Sequence, residues 1–497
     1  MENTKDFLAI DYGASNGRAI IGKFSGEKME MEEVYRFENR PVYANGTLYW
    51  DILRLYSELK IGLVTAFKKS THIESIGVDT WGCDFALLDR DKNMISNPVH
   101  YRDKRTISMR ENIKKIISEW ELYEKTQAQI IEIASLYQLY SLSLNKKQIL
   151  ENARYFLMIG DLLNFFLSGE LVNEYTNATT TIAMDQRNKK WQKDILRKLN
   201  IPSEIFLEIT EPGTVIGKIK KELCKELQIN QIPVTLPAYD TSGEIFAVPI
   251  SNLNKKKNWA YLNCGTWAMS GIVLDSPLIS NESYKENFGN EGGPFNKYHF
   301  LTNMVGMWTI QQCRKKWNEE KGRNISYDEI MEAAINAEDK NIFIDINDPS
   351  FEKEIFNMPE CIRNFCRKTN QKIPESIGDV ARVFYESLAL KYALNVFKLG
   401  KITGKKIELL HIVGGGSKDK LLCKYVSNAT RLPVIAGPAE TTSMGNLVIQ
   451  AIAMREINDI NQARDVIVNS SKFKYYEPED IAKWEVKIEK YNNIFSN

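Results

Sequence analysis

No stretch of the sequence approaches the roughly 18 consecutive apolar residues a membrane-spanning helix needs. The first residues, MENTKDFLAI, lack the basic start and long apolar run of a secretory leader. Net charge is nearly absent: 65 Lys+Arg against 64 Asp+Glu leave +1. No global basic field therefore calls for a nucleic acid or a membrane surface as partner. There are only four histidines, His72, His100, His299 and His411, with no HxxxH or HExxH, which argues against a histidine-rich metal site. His411 lies inside an apolar strand and reads as a satisfied core histidine. The seven cysteines (83, 224, 264, 313, 361, 366 and 423) are odd in number and form no CxxC, so neither a zinc site nor a disulfide framework is indicated. Reduced thiols in a cytoplasmic protein are expected, Cys361 and Cys366 included. A P-loop and a GxGxxG turn are missing too.

What is present is globular. With 43% hydrophobic, 26% charged and 10% aromatic residues, the chain is not disordered, collagenous or a coiled-coil rod. Its 497 residues suit two large domains. Phe7 to Ile10 reads as a buried strand, Asp11 to Gly17 as a small-residue turn, Ala19 to Phe24 as a second strand and Met29 to Arg36 as a third. The arrangement echoes later: Trp259 to Asn263, the turn Cys264-Gly265-Thr266, then Ala268 to Leu274. The two turn glycines, Gly13 and Gly265, lie 252 positions apart, about half the chain. This predicts related domains over 1–250 and 258–497, joined by a linker at 251–257 in the polar run SNLNKKKN. Helical periodicity covers Trp50 to Lys68, Asp379 to Leu399 (with Gly400 as its end) and Ser443 to Arg455, among strands at Ile73 to Trp81, Ile407 to Val413 and Leu432 to Ile435. Strands with helical crossovers in both halves predict an α/β protein of two lobes with a cleft between them.

Several turns could carry chemistry. In Asp11-Tyr12-Gly13-Ala14-Ser15-Asn16-Gly17-Arg18, a strand-ending carboxylate precedes glycines that let backbone N–H groups approach phosphate, and Arg18 could add a charge-assisted bond. A hairpin turn without a ligand satisfies the same pattern, and the same holds for Gly265-Thr266-Trp267. Val413-Gly414-Gly415-Gly416-Ser417 lies at a strand-to-helix turn, where a purine or phosphate could sit against flat backbone and the helix start. In Pro237-Ala238-Tyr239-Asp240-Thr241-Ser242-Gly243, Asp240 reads equally as a base for a hydroxyl nucleophile and as a helix N-cap. Around Gly82, Asp79, Trp81 and Asp84 would suit sugar hydroxyls and an apolar sugar face, or simply a strand end. Asn290-Glu291-Gly292-Gly293, Asn303 and Gln311 fit polar ligand recognition, though amides also cap helices.

Together these pieces resemble the FGGY carbohydrate kinases of the actin/hexokinase/heat-shock ATPase superfamily, most closely their rhamnulokinase branch. The matching segments are DYGASNGR, GTLYWD, GVDTWGCDFALLD, YRDKRT, EYTNATTT, YDTSGEIFAVP, NCGTW, NEGG, IVGGGSKDKLL and VIAGPAETTSMGN, nearly end to end. The resemblance implies two actin-like (ribonuclease H-like) domains. It implies ATP-dependent phosphorylation of a ketose at O1 with Mg²⁺, L-rhamnulose giving L-rhamnulose 1-phosphate. Carried over, Asp240 is the catalytic base. Ala14, Ser15, Asn16, Gly17, Arg18, Thr266, Gln311 and Gly415 contact the nucleotide. Gly82, Tyr239, Asp240, Thr241 and Asn303 contact the sugar, and Asp11 acts through the metal. The implied partners are a small sugar and ATP, with no nucleic acid or membrane, in a cytoplasmic monomer or homodimer. One departure bears on substrate choice: the branch usually has His where this chain has Tyr239, and a phenol is larger and does not titrate near neutrality. An FGGY kinase for L-fuculose, xylulose, ribulose or glycerol, and a non-catalytic ATPase-fold module, are the competing readings.

Overall fold

The structure is a computed structural model of the chain and describes residues 4–250, 257–351 and 357–495. Its contacts divide into two compact units. The first holds Met1–Asn252, Val273–Phe300 and Glu440–Ser471; the second holds Leu253–Ile272, Leu301–Ala439 and Lys472–Asn497. The expected linker 251–257 lies, residue 257 excepted, outside the described residues.

In the first unit the N-terminal apolar run is β1 (Lys5–Tyr12), followed by β2 (Asn16–Phe24), β3 (Met29–Glu38), helix α1 (Ile52–Lys69) and β4 (Ile73–Thr80). Two later strands, β5 (Val215–Lys218) and β6 (Pro233–Thr235), complete a sheet of order β5-β6-β4-β1-β2-β3. β1 to β3 form an antiparallel meander, and β4 joins β1 in parallel. The parallel register sets Asp11 beside Asp79. β1 is buried on both faces from Phe7 onward, which explains why it reads as a continuous rather than alternating apolar run. On one side α1 packs Leu55, Leu59 and Leu63 with Leu8 and Ile10; its first turn is capped by the Asp51 carboxylate. On the other, helix Thr441–Ala453 packs Leu447, Val448 and Ala451 with Phe7, Ala9 and Ile20. Gly445 lets that helix approach α2 (Asp240–Phe246): a Cβ there would fall 2.1 Å from the Gly243 carbonyl oxygen.

The second unit carries β7 (Trp259–Cys264) and β8 (Trp267–Leu274, as far as Ile272), antiparallel, then β9 (Lys297–Val305, from Leu301), β10 (Leu409–Val413), β11 (Val434–Ala436) and β12 (Lys474–Tyr476). Their order is β9-β8-β7-β10-β11-β12, with β10 parallel to β7. Each unit thus sets a strand–tight turn–strand hairpin beside a parallel crossover strand, which is the two-domain α/β actin-like architecture.

Three details differ from the sequence reading. The long helix runs Ile377–Thr403 and ends at Gly404 (φ +65°) rather than at Gly400. Gly400 lies inside it, where a Cβ would press to 3.1 Å on the Lys405 carbonyl oxygen of the returning chain. The helix after the triple glycine starts at Lys420 with the Asp419 carboxylate on the Leu422 N–H, so the protein's own acid occupies the end expected to receive an anion. His411 is fully buried, yet among the described residues neither ring nitrogen has a hydrogen-bond partner. It meets Trp259 edge-on at 5.7 Å between centroids, so it is a core histidine but not a satisfied one.

Candidate active site

In the first unit the β1–β2 turn is closed by the Gly13 N–H on the Asn16 carbonyl at 2.9 Å. Asn39 braces it from below: its backbone N–H donates to Ser15 O and its side-chain amide to Gly13 O, both at 3.0 Å. Ser15 and Asn16 stay exposed and Ala14 half-buried, so the tip of the turn is open. Gly17 has a packing cause, since a Cβ there would fall 2.1 Å from the Phe37 ring. Arg18 donates to Asp11 Oδ2 at 2.6 Å and to Glu440. Asp11 also accepts from the Ser443 hydroxyl at 3.0 Å.

Asp240 is the first residue of α2, and Tyr239 holds the cap position without a side-chain capping bond. The Asp240 carboxylate accepts from Thr241, N–H at 2.5 Å and hydroxyl at 3.1 Å. Burial pushes Asp240 up to about 8; the Thr241 N–H opposes this, and the Asp11 and Glu244 charges add to it. Asp79 is also raised, by burial first and then by Asp11. It accepts from the Asn446 amide, while its Oδ1 has no partner among the described residues. That oxygen and the equally unpartnered Asn164 Oδ1 belong to residues bordering a small cavity of about 10 Å³ beside Tyr239, room for one water. Asp11, Asp79 and Asp240 thus form one electrostatically coupled group. Gly82 lies under Thr180, whose methyl a Cβ would meet at 2.9 Å, and the Thr180 hydroxyl accepts the next N–H, that of Cys83. Trp81 and Asp84 do not offer a sugar surface. Trp81 packs on Trp50 at 4.1 Å, and the fully buried Asp84 accepts from both indoles, the Tyr101 N–H and the Gln138 amide.

In the second unit the β7–β8 turn places Thr266, whose hydroxyl donates to Gln311 Oε1 at 3.3 Å. The Gly306, Met307 and Trp308 N–H groups donate into the turn carbonyls of Gly265 and Thr266. Gly306 is required there, because a Cβ would fall 2.4 Å from Gly265 O. Gly416 packs on Cys264 at the foot of that turn, whereas Gly415 faces open space. Asn303 is half-buried on β9. The structure therefore groups the sequence candidates in two sets: Asp11 to Arg18, Gly82 and Tyr239 to Thr241 in one unit; Thr266, Asn303, Gln311 and Gly415 in the other.

The profile of the N-terminal domain of the FGGY family of carbohydrate kinases matches residues 7–247, and that of the C-terminal domain matches 260–454. The chain belongs to this family. The kinase is 36% identical to the rhamnulokinase of Bacteroides thetaiotaomicron over 490 residues, covering 98% of this chain and 99% of that one. It is 38% identical to the rhamnulokinase of Oceanobacillus iheyensis over 464 residues, 93% and 96% of the two. Its fold matches the ligand-bound xylulose kinase of Lactobacillus acidophilus (TM-score 0.82, 16% identity, 99% and 98% covered). It also matches the Plasmodium falciparum glycerol kinase with ADP (TM-score 0.79, 16% identity, 99% and 98% covered).

For a carbohydrate kinase the metal question is specific. Among the described residues no group of three or more His, Cys, Asp or Glu forms a cage. Mg²⁺ bound to a phosphate donor needs only one or two carboxylates and keeps several waters, a demand that Asp11 and its neighbour Asp79 fit. Among the described residues no helix is long and apolar enough to cross a membrane. Asn39, Glu440, Ser443 and Asn446 went unassigned in the sequence. The last three lie in AGPAETTSMGN, whose signal was similarity without a role, because their partners are more than 360 positions away.

Proposed function

We propose that this kinase is a rhamnulokinase, transferring the γ-phosphoryl group of ATP to the O1 hydroxyl of L-rhamnulose. The observation that carries the reading is 36% identity to a protein named rhamnulokinase across 98% of the chain. In this reading Asp240 accepts the proton of the O1 hydroxyl as that oxygen attacks phosphorus in line. Its raised proton affinity suits a base working near neutral pH. Gly82, Tyr239, Thr241 and Asn303 contact the sugar. The open turn from Ala14 to Arg18 lies along the phosphates, and Thr266, Gln311 and Gly415 contact the nucleotide. Asp11, steadied by Arg18 and Ser443, would hold Mg²⁺, which neutralises phosphate charge when bound. The domain division 1–250 and 258–497 around a hinge at 251–257 is supported by family profiles that end at 247 and resume at 260. A cytoplasmic location belongs to the same reading.

Tyr239 favours a second reading, an FGGY kinase for another ketose or polyol, because it stands where rhamnulokinases usually carry His. The test is ADP release with Mg-ATP against L-rhamnulose, L-fuculose, xylulose, ribulose and glycerol. L-Rhamnulose is expected to give the highest kcat/KM; another acceptor exceeding it by about tenfold (~1.4 kcal/mol) overturns the rhamnulose assignment.

A further inference from the structure

Within the first unit, the phenol of Tyr239 donates to Glu291 Oε2. Tyr239 is buried, its backbone N–H donates to the Thr176 hydroxyl at 3.0 Å, and the next residue is Asp240. Glu291 lies on the strand Gly289–Gly293, which is fastened on both sides of it. Before it, the Asn290 amide donates to Gln127 O and Leu278 O, and Asn290 O accepts from the Gln186 amide. After it, the Gly292 N–H donates to the Thr179 hydroxyl, and the Ser242 hydroxyl of α2 donates to Gly292 O, both at 3.0 Å. Gly292 tolerates no side chain, since a Cβ would fall 2.6 Å from the Tyr175 ring. The backbone that carries Glu291 is thereby fixed against the helix that carries Asp240.

This is more fixation than one tyrosine hydrogen bond needs, and it leaves the carboxylate under-used. An ionised carboxylate can accept about four hydrogen bonds. Among the described residues Glu291 takes one from the Tyr239 phenol, at Oε2. It is half-buried, and burial raises it to about 7, with the phenol pulling the other way. A half-buried carboxylate with one donor, held rigidly beside the residue next to the proposed base, is built to receive a further donor. An uncharged ketose offers hydroxyls and nothing stronger.

We propose that Glu291 is a sugar-recognition residue: Oε2 holds the Tyr239 phenol, Oε1 accepts a hydroxyl of the ketose, and the pair selects the hydroxyl pattern admitted next to Asp240. Histidine at 239 would be a shorter partner with a different donor position. The Tyr239–Glu291 pair is therefore a specificity element of this chain. The inference rests on the ketose reading only for the class of acceptor, and its test uses whichever acceptor the wild-type enzyme prefers. A wrong sugar assignment therefore shows in the wild-type panel, while a wrong role for Glu291 shows in the variants.

The experiment compares wild type, Glu291→Gln and Tyr239→Phe in steady-state kinetics with the preferred acceptor, with thermal melts alongside. Glu291→Gln is expected to raise the acceptor KM about tenfold or more while kcat stays within about threefold and KM for ATP within about twofold. Tyr239→Phe keeps the ring and removes the phenol donor, and is expected to raise the acceptor KM and narrow the preference among ketoses. If Glu291→Gln does not fold, Glu291→Asp, which draws the carboxylate back by one methylene, carries the test in its place with the same expected rise in acceptor KM. Acceptor KM within about twofold of wild type in the folded variants overturns the proposal. So does a fall in kcat alone with an unchanged acceptor KM, which would make the pair a brace for α2.

Discussion

The Ser443 hydroxyl donates to Asp11 Oδ2 at 3.0 Å across 432 positions of sequence. With Arg18 on the same oxygen at 2.6 Å, Asp11 is oriented by one donor from its own hairpin and one from a helix near the other end of the chain. The carboxylate is therefore positioned before any ligand arrives, which lowers the ordering needed on binding.

The first prediction concerns the base. Asp240→Asn keeps the size of the side chain and removes its proton affinity. It is expected to lower kcat by about 10²–10⁴-fold while calorimetric affinities for acceptor and ATP change little. Turnover near the wild-type level would remove Asp240 from its proposed role.

The second is its pH dependence. A base must be ionised to act, and burial sets Asp240 to about 8 in the free protein. kcat/KM for the acceptor should therefore fall as pH drops below about 8, approaching tenfold per pH unit, and level off above it. Glu244 repels the Asp240 anion and is itself buried, accepting from the Thr441 hydroxyl at 3.0 Å. Glu244→Gln should move this limb to lower pH. A limb that stays in place would mean that the Glu244 charge does not act on the base.

Gly415 and Gly416 make a paired test in the second unit. Gly415 faces open space, whereas a Cβ at Gly416 would sit 2.5 Å from Cys264 Sγ and 2.9 Å from Cys264 O. Gly415→Ala should fold normally and raise KM for ATP. Gly416→Ala should lower the melting temperature, because β7 has to move to admit a methyl group. Equal melting temperatures for the two variants would contradict this packing.

His411 predicts an acid sensitivity. Burial lowers its proton affinity from the usual 6.5 to about 3. The stability that comes from keeping it neutral is fully present above pH 6.5 and is lost as pH falls from there toward 3, at up to about 1.4 kcal/mol per unit. His411→Leu removes this loss and two unpartnered nitrogens, so at pH 5 it should gain about 2 kcal/mol on wild type relative to pH 7.5. His299, buried with the same direction of shift, keeps its own share. Identical pH dependence of denaturant midpoints in variant and wild type would contradict the burial argument.

Much of the architecture was legible because it is local. β1, the glycine turns and the amphipathic α1 follow from short-range periodicity and turn chemistry, and the end-to-end run of segments was enough to indicate the family. Where the reading slipped, the deciding contact was distant. Gly17 is required by Phe37 and Gly445 by Gly243, while Gly400 fits closely against the Lys405 carbonyl oxygen. Asp84 looked like a sugar ligand until Trp50, Tyr101 and Gln138 converged on it. A glycine that relieves a clash and one that admits a phosphate are the same letter.

The sequence by itself indicated the class of protein: two hairpin-led halves, an isolated Asp240 among small residues, and a net charge of +1. Only the tertiary structure decided which groups act on one another. It set Asp11 beside Asp79 through strand register and brought Glu440, Ser443 and Asn446 to them from the far end of the chain. It also aimed Tyr239 at Glu291. Periodicity and turn chemistry act over a few residues. Burial, proton affinity and hydrogen-bond partnership depend on distance in space, which the order of residues does not state.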